Sequence, residues 1–355
     1  RPFQILTPRF ARSKRGRPVE GPPPPPYRTP RRSERNSRPV TSAVPRATFT
    51  ITMTYDVLIV GGGPAGLSAA LALGRARRSV LLCDAGPRRN ATAAQMHNFV
   101  TRDGTPPSEF RALARAQLGA YPSVEFRDEA VQALTGSRGK FRAQTASGEV
   151  LARRVILCVG MVDTMPDIEG FRALWGRSIF QCPYCHAWEV RERPFAVLAR
   201  TPELLEFSLM LRAWTERVTV LTEGVTPPPE VAGRLKRAGI NLDDRRLARL
   251  DAEDGHLARI VFDAGDPLPC AALFAKPPQE QTPLVRSLGL AMTPAGYVQV
   301  EEMRRETSTP GIYAAGDLCS PMQAAIAASA MGTMAAGALN YELTVELVLG
   351  ASVSA

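Results

Sequence analysis

Tyr55-Asp-Val-Leu-Ile-Val60-Gly-Gly-Gly-Pro-Ala-Gly66 is the stretch that decides the fold of this 355-residue chain. Tyr55–Val60 is an apolar run of strand length, and Gly61-Gly62-Gly63-Pro64-Ala65-Gly66 follows it as a G-x-G-x-x-G sequence. The pattern predicts a helix over Pro64–Arg77 and a second strand over Ser79–Cys83, which together make a βαβ unit. Glycine allows the tight turn and lets a pyrophosphate approach the helix N-terminus, where free N–H groups and the positive end of the dipole bind anions. Asp84 ends the second strand, 23 positions beyond Gly61. A carboxylate there can accept hydrogen bonds from an adenosine ribose.

Outward from this unit, the pattern repeats. Val155–Val159 reads as a further buried strand ending at Gly160. A second βαβ pattern follows, with strands at Phe195–Leu198 and Val218–Leu221 around a helix at Pro202–Trp214. Ala275–Pro283 reads as a linker, and Ile312–Ala315 as a last short strand running into Gly316-Asp317. The apolar stretch Met322–Asn340 is rich in Ala, Gly, Ser and Met, which favours a buried helix over Met322–Leu339 rather than a membrane span. The expected class is therefore α/β, with two Rossmann-like domains. The first is assigned residues 53–165 and 280–345, and the second residues 166–279.

The charge is segregated. The chain carries a formal net charge of +10, yet residues 1–52 alone hold 12 Arg/Lys against Glu20 and Glu34. Residues 53–355 hold 32 basic and 32 acidic side chains, so the expected folded body is neutral. That removes the electrostatic case for a nucleic-acid-binding body. Residues 1–52 also hold 11 Pro, five of them at Pro22–Pro26, a composition that cannot build a core and reads as disordered. Three origins for it stay open: upstream sequence before a true start at Met53, a flexible arm for anionic partners, or a transit peptide. No 7–15-residue apolar secretory core precedes position 45. Six Cys in so long a chain are too few for a disulfide scaffold, which points to a reducing, cytoplasmic setting.

Cys182-Pro-Tyr-Cys185 is the one C-x-x-C sequence. Two thiols at this spacing at a helix N-terminus can close a disulfide, and the dipole lowers the first thiol's pKa. Zinc needs four ligands, but there is no second C-x-x-C, and His97, His186 and His256 are the only histidines. No metal site is therefore expected. The same tetrapeptide occurs in glutaredoxins, but there it opens a short thioredoxin-like fold, whereas here it lies between two dinucleotide-fold patterns. Cys83 and Cys158 lie in apolar strands and read as buried small hydrophobes. No role is assigned to Cys270 or Cys319.

Taken together, the first glycine loop, the strand ending at Gly160, Tyr313-Ala-Ala-Gly-Asp317 and the placement of Cys182/Cys185 resemble the low-molecular-weight thioredoxin reductase group of FAD-dependent pyridine nucleotide-disulfide oxidoreductases. The resemblance covers residues 55–340 and implies that the second domain is inserted in the first. The Cys182-Pro-Tyr-Cys-His186 stretch looks closest to a branch that includes dithiol oxidases. The resemblance implies FAD held by Gly61, Gly63, Pro64, Ala65, Gly66, Asp84, Asn98, Gly160, Gly316, Asp317, Gln323 and Ala324. It places Met322, Gln323 and Ala324 at the flavin's pyrimidine edge. It implies that Cys185 faces the flavin and that Cys182 attacks the external group. His186 stands where thioredoxin reductases usually carry an Asp proton donor, and an imidazole can serve there as acid or base. A homodimer is expected on the same ground.

In one place the chain departs from this group. The second glycine loop should hold NADPH, but the stretch is Leu198-Ala-Arg-Thr-Pro-Glu203, with no glycine. Side chains there obstruct close approach of a pyrophosphate. Thr222-Glu223-Gly224 stands where basic residues would hold a 2′-phosphate. NAD(P)H binding is thus in doubt, and the electrons need another partner. In one direction a donor such as ferredoxin feeds FAD, the dithiol and then a thioredoxin-like protein or small-molecule disulfide. In the other, a small-molecule dithiol reduces Cys182–Cys185 and oxygen takes the electrons from the flavin. A flavin-bound redox sensor or scaffold is the non-enzymatic alternative.

Overall fold

The structure is a computed structural model and describes residues 54–86 and 88–350. The expectations for residues 1–52 lie outside the described residues. The chain enters along β1 (Thr54–Val60), turns into α1 (Pro64–Arg75) and returns along β2 (Val80–Cys83). Pro64 starts α1 at a position where its missing N–H costs nothing. The helix stops short of Arg77 because that residue is left-handed, with φ 62°. After α2 (Pro107–Leu118) come β3 (Val124–Arg127), β4 (Val131–Thr135), β5 (Phe141–Thr145) and β6 (Gly148–Leu157). β6 is longer than its sequence reading because its first half pairs antiparallel with β5, while its second half pairs parallel with β1.

These strands form one sheet in the order β3-β2-β1-β6-β5-β4. Along β3, β2, β1 and β6 the pairing is parallel. β1 and β2 are buried along nearly their whole length, as expected for parallel strands covered on both faces. The chain leaves this sheet through β7 (Val162–Asp163) and runs through α3 (Phe171–Leu174), β8 (Ile179–Phe180) and α4 (Pro183–His186). β9 (Phe195–Leu198), α5 (Pro202–Leu211) and β10 (Val218–Leu221) make the second βαβ unit. α5 ends before Trp214 because Ala213 and Trp214 donate to carbonyls three residues back, a tightened turn.

Next come α6 (Pro229–Arg237), β11 (Asn241–Asp243), β12 (Leu247–Glu253), β13 (His256–Phe262), β14 (Leu268–Pro269) and β15 (Ala272–Phe274). The second sheet is parallel throughout, in the order β11-β10-β9-β15-β8. β12, β13 and β14 form a separate antiparallel sheet. The expected linker holds β16 (Gln279–Glu280), which pairs only with β7. The chain then returns through α7 (Pro283–Ser287) to β17 (Ile312–Ala314), a strand of the first sheet beside β6. The fold is thus α/β with two Rossmann-like domains.

A short 3₁₀ turn at Asp317–Cys319 leads to α8 (Ala325–Leu349). α8 crosses α1 closely: a Cβ at Gly332 would collide with the Ala65 carbonyl. The helix runs ten residues beyond its sequence reading. Glu342 and Glu346, which look like a polar end, are instead paired with Arg154, Arg304 and Arg153. Among the described residues no helix is long and apolar enough to cross a membrane.

Candidate active site

The C-terminal ends of β1, β2, β6 and β17 converge, as the register pairs of Val60 with Cys83 and with Leu157, and of Ala314 with Leu157, show. Ligands of doubly wound sheets bind beyond such strand ends. The loop after β1 is shaped by its neighbours. Gly61 has φ 108° and donates its N–H to the Cys83 carbonyl at 2.8 Å. A Cβ on Gly61 would strike the Cys158 carbonyl, and one on Gly66 would strike the Gly61 carbonyl. Gly63 faces open space and caps α1 with no side-chain acceptor, so the helix's first N–H groups face the loop uncapped. Asp84 is buried just past β2, where Gly86 donates to it at 3.3 Å and Arg111 pairs with its other oxygen.

One cavity of about 840 Å³ is lined by residues from both sheets. Gly61, Gly63, Pro64, Ala65, Asp84, Gly160, Gly316, Asp317, Gln323 and Ala324 line it, and so do Cys182, Cys185 and His186. Three of the expected residues do not. Gly66 is buried within α1 beneath the loop. Asn98 adopts φ 61°, gives its N–H to Asp103 at 2.8 Å and lies off the lining, where its neighbour His97 stands instead. Met322 is exposed and also off the lining.

The cavity suits a dinucleotide on grounds of its own. Arg88 lines it, and its buried Nε has no hydrogen-bond partner among the described residues, a donor available to an anion. Gln323, Ala324 and Ala325 line the cavity where α8 begins, and Ala324 caps that helix with no side-chain acceptor. Burial pushes the Asp317 carboxyl above its usual range, opposed by Arg89 at 3.6 Å. FAD, the cofactor of this fold's family, would be held by the Gly61–Gly66 turn, Asp84, Arg88, Asp317 and the α8 N-terminus.

Cys182 is the N-cap of α4, and it is joined to Cys185 in a disulfide with a Cα–Cα distance of 5.3 Å. The His186 ring stacks on Phe180 at 4.5 Å and meets His97 edge-on at 6.5 Å. Burial, with a smaller contribution from His97, pushes the His186 pKa down to about 4. His186 is therefore neutral near pH 7, because burial disfavours its protonated form. His97 lies between two carboxylates, Asp103 at 3.4 Å and Glu189 at 3.5 Å. Cys83, Cys158 and Cys270 are free and buried. Among the described residues no group of three or more His, Cys, Asp or Glu is placed to hold a metal.

At the second loop, Ala199 is buried and donates to the Leu221 carbonyl at 3.0 Å. Arg200 pairs with Glu223 at 2.6 Å, and Glu223 also accepts from the Leu247 N–H at 3.2 Å. Glu203 sits in the first turn of α5, where its own backbone N–H and the Thr201 hydroxyl hold its carboxyl below the usual range. An exposed carboxylate therefore lies at the N-terminal end of α5. None of these residues lines the cavity.

Sequence reading also missed Arg89. It bonds Asp163 through two nitrogens at 2.6 and 2.7 Å, and also reaches Gln181 and Gln323. The one signal available was the basic pair Arg88-Arg89 so soon after Asp84.

Comparison with known proteins agrees with this architecture. Residues 55–332 match the pyridine nucleotide-disulphide oxidoreductase family. The thioredoxin reductase aclD of Aspergillus oryzae is 34% identical, over 79% of this chain and 94% of that protein. The thioredoxin reductase sirT of Leptosphaeria maculans is 30% identical, over 81% of this chain and 94% of its own length. The crystal structure of an oxidoreductase from Agrobacterium tumefaciens superposes with a TM-score of 0.77 at 35% identity, covering 82% of this chain and 99% of that one. The chain belongs to the pyridine nucleotide-disulphide oxidoreductase family and is a thioredoxin reductase-like, FAD-dependent disulfide oxidoreductase.

Proposed function

We propose that this enzyme moves an electron pair between an external dithiol or disulfide and FAD through Cys182 and Cys185, without a nicotinamide in the usual place. The observation that carries the reading is the shared cavity, which the dinucleotide-type loop and the Cys182–Cys185 disulfide both line. The segments 53–165 and 280–345 hold the cofactor in this reading, and 166–279 carries the dithiol.

In the oxidative direction, an external thiol loses its proton to solvent, and its thiolate attacks Cys182 Sγ. The Cys182–Cys185 bond breaks, leaving a mixed disulfide and a Cys185 thiolate. The second external thiol then attacks the mixed disulfide and displaces Cys182. The external dithiol leaves as a disulfide, its two protons pass to solvent, and the enzyme keeps two electrons as its reduced pair. When bound, FAD supplies the two-electron acceptor for that pair. Run in reverse, the same residues reduce a thioredoxin-like protein or small disulfide with electrons from a donor such as ferredoxin.

The Arg200–Glu223 pair and the Glu203 carboxylate favour the oxidative direction, with oxygen as final acceptor, because they take the place of a reductant's binding loop. The test is an anaerobic titration of the FAD-loaded protein with dithiothreitol. Flavin bleaching is expected in the parent chain and should be lost in Cys182→Ser and Cys185→Ser. Bleaching that survives both substitutions would remove the dithiol from the mechanism.

A further inference from the structure

We infer that Arg89, with Asp163, Gln279, Gln323 and Gln181, is a lock that holds the disulfide-bearing sheet in position over the cofactor loop. The inference rests on the dithiol reading above and adds a positioning role that this reading does not require.

The chain crosses between the two sheets twice, once through β7 and once through β16. Among the described residues these two strands pair with each other and with no strand of either sheet. A two-stranded crossing of this kind is a hinge by construction: few bonds resist its bending, and rotation there would carry α4 and its disulfide away from Gly61–Ala65. In this protein the crossing is tied down. Arg89, on the loop after β2, grips Asp163 of β7 with a two-pronged pair. Gln279 of β16 donates to Asp163 at 2.9 Å and exchanges amide bonds with Gln323 at 2.7 and 3.0 Å. Arg89 also reaches Gln323, just before α8, and Gln181, next to Cys182. One guanidinium therefore joins the cofactor-side loops, the hinge ribbon and the residue preceding the dithiol. The Asp163 side chain is only 4% exposed, so the pair is shielded from solvent competition.

Two further contacts close the same seam. A Cβ on Gly176, in the turn after Trp175, would collide with the Thr92 hydroxyl, so the loops of the two sheets touch there. Glu189, beyond α4, reaches His97 of the first lobe at 3.5 Å. A lock suits a chain whose second loop carries the Arg200–Glu223 pair and the Glu203 carboxylate rather than a glycine turn.

The test uses FAD-loaded Arg89→Ala, Arg89→Lys and Gln279→Ala variants with dithiothreitol as the probe. Gln279 lies off the cavity lining, so Gln279→Ala decides the question if Arg89→Ala loses FAD. Three readouts are taken: opening of the Cys182–Cys185 disulfide by thiol alkylation and mass spectrometry, flavin bleaching by stopped flow, and hydrogen–deuterium exchange at residues 162–163 and 279–280. The lock predicts unchanged disulfide opening, bleaching slowed about tenfold or more in an FAD-replete variant, weaker thiolate–flavin charge-transfer absorbance, and faster exchange in the ribbon. Arg89→Lys, which keeps the charge without the fork, should fall between parent and Ala. Unchanged bleaching and ribbon exchange in an FAD-replete Gln279→Ala protein would overturn the lock. Failure of the dithiol reading looks different: the Cys182→Ser and Cys185→Ser proteins would bleach as the parent does.

Discussion

At the residue scale, the dithiol's neighbour is an imidazole that burial keeps neutral. His186 is stacked on Phe180 and buried, which holds its pKa near 4 rather than at the usual value of about 6.5. The unfolded chain therefore binds a proton between these values that the folded chain refuses. Stability contributed by the neutral ring is complete above about pH 6.5 and is lost as pH falls toward about 4. Urea denaturation from pH 7 to pH 4.5 should show this acid loss, and His186→Gln should flatten the part of it that begins below about pH 6.5. An unchanged pH slope in the variant would mean that the ring titrates normally.

The residue scale also shows what spacing can and cannot reveal. Gly61, Asp84, Gly160 and Asp317 were legible because each sits at a strand end, and alternation and apolar runs mark strand ends. Arg89 and His97 were not, because their partners Asp163, Gln181 and Glu189 are brought to them only by the fold. Asn98 was carried by resemblance alone, and a left-handed backbone with an Asp103 contact leaves it off the cavity lining.

At the element scale, the two βαβ units came out close to their sequence reading. Phe195–Leu198 and Val218–Leu221 are strands with those bounds, since Phe-Ala-Val-Leu and Val-Thr-Val-Leu are short runs rich in strand-forming residues. Helix ends were less legible. α8 continues to Leu349 because buried counter-charges neutralise its second half: Glu342 lies 2.5 Å from Arg304 and 3.7 Å from Arg154, whose side chain is 1% exposed. Removing one member of a buried pair leaves the other uncompensated. Glu342→Ala should therefore cost about 3 kcal/mol of stability, read from the shift of the denaturation midpoint at constant slope. A shift near zero would show that the cluster is solvated.

At the scale of the whole molecule, the chemistry depends on two sheets presenting to one cavity. The first brings a glycine turn with an uncapped helix end, and the second brings the disulfide. The second βαβ unit is present as β9 and α5, and its loop carries the Arg200–Glu223 pair and the Glu203 carboxylate. The central claim is that electrons enter or leave through the dithiol and not through a nicotinamide. Anaerobic stopped flow on the FAD-loaded protein, mixing one sample with NADPH and another with dithiothreitol, tests it most directly. Dithiothreitol is expected to bleach the flavin, while NADPH is expected to leave its absorbance unchanged. Rapid bleaching by NADPH would contradict the claim.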